Sequence, residues 1–183
     1  MDFAKIVPLL IKEFEKEKIG YALMGGFAMG ALGFVRATAD LDFVVDAKDL
    51  AKIETIMKKY HYRCVYKTEN VSQYVSAMKI FGEIDFLHAF RPVSVAMLKR
   101  ATKLPVLQRT HTIKVLRPED IIGLKIQALV NNPARKHPEY ADITALMAYY
   151  RAQLDWKLLE EYFNIFDKGK EFGRLKQKYA KDK

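Results

Sequence analysis

The stretch YALMGGFAMGALGFVRATADLDFVVD, Tyr21 to Asp46, decides how the chain is read. It opens with a short apolar run, Tyr21 to Met24, breaks at Gly25 and Gly26, and resumes with residues that suit a short helix from Phe27 to about Leu32. It closes with Asp40 and Asp42 at the head of a second apolar run, Leu41 to Val45, which reads as a buried strand. Residues two apart in a strand share a face, so Asp40 and Asp42 point the same way, roughly 6.5 Å apart along the chain, with Leu41, Phe43 and Val45 opposite. Two carboxylates that close repel each other. A divalent cation between them offsets the repulsion, and hard oxygen donors suit Mg²⁺ that also binds substrate phosphates. The plain alternative is a pair of solvated acids at a strand entrance. The glycines weigh against it, because a strand, a tight turn and an immediate helix present N–H groups unobstructed by Cβ at the positive end of a helix dipole, where a phosphate chain can be held.

The same stretch loosely imitates a dinucleotide-binding unit, with Asp46 about twenty residues past the glycines. The spacing excludes it. Gly25, Gly26, Gly30 and Gly33 contain no G-x-G-x-x-G, and the segment between turn and second strand is short for a crossover helix.

Working outward, Phe3 to Lys18 reads as an amphipathic helix ended by Gly20, and Lys48 to Tyr60 as another. Tyr62 to Tyr66, Tyr74 to Phe81 and Glu83 to Ala89 read as strands, the last two joined at Gly82 as a hairpin. A helix near Val93 to Arg100 and a strand at about Thr112 to Leu116 follow. From Pro118 the pattern is helical, with Pro118, Glu119 and Asp120 suiting a first turn, and further helices over Trp156 to Phe166 and Glu171 to Tyr179. In GEIDFLHA the alternation puts Glu83, Asp85 and Leu87 on one face and Ile84, Phe86 and His88 on the other, so Asp85 is an acid in mid-strand. If its strand lies beside that of Asp40 and Asp42, three carboxylates converge, enough to hold two metal ions and accept a proton from a hydroxyl.

The 183 residues allow one domain, or a core with a helical appendage, and half of them are apolar. Cys64 is the single cysteine, which excludes an internal disulfide and a zinc-type cysteine set; its expected place is the core. With no signal-like start and no apolar run long enough to cross a bilayer, the expected compartment is the cytoplasm. A net charge of +9, from 31 Lys and Arg against 22 Asp and Glu, favours polyanionic partners. His61, His88, His111 and His137 have no metal-ligand spacing, and none of the three serines sits in a nucleophile elbow. The basic stretch from Asp167 to Lys183 is a solvated helical end or an RNA- or partner-binding surface.

The segment GGFAMGALGFVRATADLDFVV, with Asp85 and the later LRPEDIIGLKIQALVNNPARKHPEYADITAL, resembles the minimal nucleotidyltransferases of the DNA polymerase beta-like superfamily, and within it the AbiEii toxin-type and related members. The resemblance spans roughly Gly20 to Met147. It implies an α/β (α+β) fold, a mixed-sheet nucleotidyltransferase core over residues 1–116 flanked by helices, with a helical part, 117–183, packed on it as one compact unit. It implies nucleotide binding by Gly25, Gly26, Arg36 and Thr38, two Mg²⁺ ions on Asp40, Asp42 and Asp85, and transfer of an NMP from an NTP to a hydroxyl. RNA or tRNA is the favoured acceptor on charge, and a toxin with a cognate antitoxin protein is a further implication. The alternative is a catalytically inactive basic module binding RNA or protein. Lys125 and Asp142 match the later motif, whose additional aspartate is Glu139 here. On a helix, Lys125 falls within the apolar stripe of Ile121, Ile122, Ala128 and Leu129, and Asp142 within that of Ala145, Leu146 and Tyr149; a charge there requires a partner. Either the two pair to tie helices together, or Lys125 reaches bound phosphates and Asp142 orients it.

Overall fold

The structure is a computed structural model that describes residues 1–78 and 80–180. Lys79, within the strand expected at Tyr74 to Phe81, and the last three residues of the basic stretch lie outside the described residues. The chain divides into two compact units, Met1–Leu116 and Arg117–Lys183.

The first unit runs α1 (Phe3–Lys16), β1 (Tyr21–Met24), α2 (Gly25–Ala31), β2 (Asp40–Asp46), α3 (Leu50–Lys59), β3 (Tyr62–Lys67), β4 (Val71–Ser76), β5 (Glu83–Ala89), α4 (Pro92–Arg100), β6 (Thr102–Val106) and β7 (His111–Val115). Its seven strands form one mixed sheet in the order β3-β4-β5-β2-β1-β7-β6. The β2–β5 and β1–β7 pairs are parallel and the others antiparallel. One face is sealed by aromatic packing: Phe14 of α1 lies 5.5 Å, centroid to centroid, from Phe43 and 5.0 Å from Tyr21, and Phe43 stacks on Phe86 at 5.9 Å. Tyr21, Phe43 and Phe86 belong to the apolar alternation of β1, β2 and β5, which turns the acids of β2 and β5 to the other face.

Two expectations are corrected and one strand is added. The strand expected at Tyr74 to Phe81 is Val71–Ser76, and Gly82, at φ +65°, stands just before β5. Its polar start hid it: Ser72 is buried because its hydroxyl meets His88 Nε2 at 3.0 Å across the β4–β5 pair. Strand β6 went unread because Pro105 interrupts it, which only an edge strand tolerates, and β6 is the sheet edge. Cys64 is exposed rather than core, since β3 is the opposite edge and buries only Tyr62.

His88 is 3% exposed, and its Nδ1 lies 2.9 Å from the Glu69 carbonyl. Burial, the largest cause, holds its imidazole below the usual 6.5, against the raising effect of that carbonyl. On acidification the unfolded chain therefore takes up the proton first. The contribution is complete above about 6.5 and is lost as pH falls toward the lower folded value. The melting temperature is expected to drop between about pH 7 and about pH 5, and His88→Gln to flatten that drop. Equal slopes in the two proteins would assign the effect to other groups.

The second unit contains α5 (Pro118–Asn131), α6 (Lys136–Tyr150), α7 (Trp156–Ile165) and α8 (Gly169–Tyr179). Glu119 and Asp120, in the first turn of α5 as expected, are buried. Glu119 Oε1 accepts from Arg117 at 3.0 Å and from the Asp155 backbone N–H at 2.8 Å, and Asp120 Oδ1 accepts from Tyr162 Oη at 2.6 Å. Gly123 permits this approach of α7, because a Cβ there would stand 2.8 Å from the Tyr162 ring.

Candidate active site

Sheet register builds the site. In the parallel β2–β5 pair Asp42 lies opposite Asp85 and Asp40 opposite Glu83, so the carboxylates of neighbouring strands share the face away from the aromatic core. Strand β1 sets Met24 against Asp42, and the chain then enters α2 at Gly25. The helix begins at the first glycine, two residues before its expected start. Gly25 has φ +68°, and a Cβ on it would collide with the Asp42 carboxylate. A Cβ on Gly26 would come 2.7 Å from Thr38 Oγ1. The glycine pair is therefore required twice, by backbone conformation and by the close passage of the segment carrying Asp42 and Thr38. Gly25→Ala is expected to displace the Asp42 carboxylate, and its left-handed backbone to cost about 1–2 kcal/mol. The melting temperature checks the cost; an unchanged value would show that the turn tolerates a Cβ.

Thr38 Oγ1 donates to Asp40 Oδ1 at 2.7 Å, fixing that carboxylate beside the glycine turn. Gln73 Nε2 donates to Asp85 Oδ2 at 3.0 Å. Gln73 was missed from sequence; its place opposite Asp85 follows only once β4 is known to start at Val71. Burial, opposed by the Gln73 hydrogen bond and reinforced by the charges of Asp40 and Glu83, raises the Asp85 carboxyl above the usual carboxylate range. Among the described residues no three His, Cys, Asp or Glu side chains stand converged as a ligand set. Asp40 and Asp85 face Thr38 and Gln73 instead. Asp40, Asp42 and Asp85 nonetheless share one face of the sheet, and there the charge of Asp40 adds to the burial that raises Asp85. Asp46, the acid of the dinucleotide reading, instead caps the turn before α3 by accepting from the Lys48 backbone N–H at 3.1 Å.

A cavity of about 610 Å³ opens beside the glycine turn, lined by Gly26, Phe27, Arg36, Thr38, Gln108 and Arg109 among others. The β6–β7 turn reaches it through Leu107, Gln108 and Arg109, all at positive φ, with Thr110 Oγ1 donating to the Leu107 carbonyl at 2.6 Å. The structure thus gathers Gly25, Gly26, Arg36, Thr38, Asp40, Asp42 and Asp85 in the first unit. Lys125 and Asp142 lie in the second, where Lys125 Nζ meets Asp142 Oδ2 at 2.5 Å and Glu139 Oε2 at 2.8 Å, all three buried.

No family model matches the sequence, and none of the curated proteins compared with it does. Solved structures do match. The antibiotic-resistance factor ANT(2'')-Ia in solution aligns over 100% of both chains with a TM-score of 0.67 and 12% identity. An antigenic nucleotidyltransferase-like protein from Paracoccidioides brasiliensis aligns over 96% of this chain and 92% of its own, with a TM-score of 0.56 and 17% identity. The lincosamide antibiotic adenylyltransferase LnuA, lincomycin-bound, aligns over 78% and 94%, with a TM-score of 0.56 and 16% identity. The fold is the mixed α/β fold of these nucleotidyltransferase structures.

Proposed function

We propose that the chain is a Mg²⁺-dependent nucleotidyltransferase that moves a nucleoside monophosphate from an NTP to an acceptor hydroxyl and releases pyrophosphate. The observation that carries this reading is the β2–β5 register, which sets Asp42 against Asp85 beside the Gly25–Gly26 turn. The acceptor oxygen bonds to the α-phosphorus as the bond to the bridging oxygen breaks, and the electron pair leaves on pyrophosphate. Asp40, Asp42 and Asp85 would hold two Mg²⁺ ions, which when bound neutralise the triphosphate and ease ionisation of the acceptor hydroxyl. The backbone N–H groups at the start of α2 hold phosphate oxygens, with Arg36 and Thr38 beside them. Asp85 takes the hydroxyl proton. Lys125, oriented by Asp142 and Glu139, is assigned to phosphate binding on the resemblance.

The acceptor favoured by the net charge of +9 is RNA, tRNA included. The toxin and antitoxin setting, and the AbiEii kinship, rest on the resemblance alone. Among the described residues no helix is long and apolar enough to cross a membrane. The test is incubation of the protein with each labelled NTP, Mg²⁺ and a total RNA pool. Label on RNA with release of pyrophosphate is the expected result. Label on small hydroxyl compounds and none on RNA would move the acceptor while keeping the chemistry. No pyrophosphate from any NTP would return the chain to the inactive binding module.

A further inference from the structure

The second unit carries a concavity of about 1160 Å³ between residues of α6 and the segment that enters α8. Lys136, Lys168, Lys170 and Arg174 line it, all exposed, together with the half-buried Tyr140. Asp167 and Glu171 line it too, yet among the described residues none of the four cations forms an ion pair with them or with any other acid. Elsewhere lysines are taken up by neighbouring acids, as Lys52 is by Asp49, Lys58 by Glu54 and Lys59 by Glu13. Like charges gathered on a concave wall without local neutralisation repel one another, and a chain of phosphates relieves that repulsion while releasing counterions. Burial and the nearby Glu171 raise the Tyr140 phenol above its usual value, so the ring stays neutral and offers an aromatic face among the cations. Cations that track a backbone beside an aromatic side chain are the combination that holds single strands, where bases are free to stack.

We infer that this concavity binds a single-stranded polynucleotide, with phosphates on Lys136, Lys168, Lys170 and Arg174 and a base against Tyr140. The inference rests on the proposed function only in taking RNA as the strand. It does not depend on the transfer chemistry, because binding is read without NTP or Mg²⁺.

The experiment is fluorescence anisotropy of a labelled single-stranded RNA with the full chain across a salt series, beside the same sequence as DNA, an RNA duplex and anionic phospholipid vesicles. Affinity is expected to fall with salt, and changing the four cations to Gln should reduce the slope of log K against log salt by about 0.7 for each phosphate that is no longer neutralised. A control with Lys5, Lys12, Lys99 and Lys157 changed to Gln removes the same charge and should keep most of the slope. Tyr140→Leu should weaken binding about tenfold and Tyr140→Phe should not, since the ring rather than the hydroxyl does the stacking. All variants alter exposed or half-buried side chains, and an unchanged melting temperature confirms that they fold. RNA held more tightly than DNA identifies RNA as the strand, and equal affinity leaves a polynucleotide site open to both. A control that flattens the slope equally, a Tyr140→Leu protein that binds as the wild type does, or a preference for duplex or vesicles would each overturn the assignment. A protein that transfers no nucleotide yet shows these effects would refute the proposed function and leave the binding site standing.

Discussion

Asp42→Asn is expected to abolish nucleotidyl transfer, lowering turnover about a thousandfold or more, while the melting temperature stays near that of the wild type. The asparagine keeps the shape of the aspartate beside Gly25, so the turn into α2 has no reason to move. What it removes is one negative charge from the face where Asp42 stands opposite Asp85 and next to Asp40. A cation site that loses a carboxylate loses several kcal/mol of transition-state stabilisation, and each 1.4 kcal/mol is a factor of ten in rate. The same loss relieves repulsion among the remaining acids, so stability is not expected to fall. Asp40→Asn should behave alike, with Thr38 still able to donate to the amide oxygen. Asp85→Asn should lower turnover more than NTP affinity, because its proposed part includes the proton. Mg²⁺ titration in the presence of NTP gives an independent reading: heat of binding in the wild type, little in the Asp42 variant. Wild-type turnover in either Asp40→Asn or Asp42→Asn would end the carboxylate assignment.

The carboxylate face was legible before any coordinates because strand alternation is a rigid rule: once Leu41, Phe43, Ile84 and Phe86 are taken as core, Asp40, Asp42 and Asp85 have one side left. Adjacency of the two strands was not legible. It depends on a parallel pairing between residues about 43 positions apart, and alternation within one strand carries no information about its neighbour. Gln73 and Ser72 were lost for a different reason. Their polarity disguised the start of β4, and Ser72, which stands opposite Phe86, is satisfied in the core by its hydrogen bond to His88, two residues further along β5. Pro105 hid β6 through a rule that fails at sheet edges. Lys125 and Asp142 were found as charges within apolar stripes, but helical periodicity could not show that Glu139 shares the ammonium, since that requires the approach of α6 to α5.

That shared ammonium makes Lys125→Met the substitution with the largest expected effect on stability. Lys125 is 9% exposed, Glu139 3% and Asp142 7%, and their contacts of 2.8 Å and 2.5 Å set two carboxylates on one cation. Methionine fills much the same space but leaves both acids buried without that cation. Breaking a buried ion pair from one side costs about 3–5 kcal/mol. For a chain of this size each kcal/mol corresponds to roughly 2–4 °C of melting temperature, so a fall of about 6 °C or more is expected. Replacing all three should recover much of that loss: Lys125→Met combined with Glu139→Leu and Asp142→Leu removes the two buried acids together with the ammonium that holds them, and well-packed apolar residues commonly match or exceed the stability of buried ion pairs. The triple variant also separates the two roles that sequence left open. With stability recovered, a lysine that only ties α5 to α6 has nothing further to contribute, and transfer should return. The phosphate-binding assignment expects the opposite, a folded protein with weakened NTP affinity or turnover. Full activity in the stable triple variant would remove Lys125 from the chemistry and leave it as the fastener of the second unit.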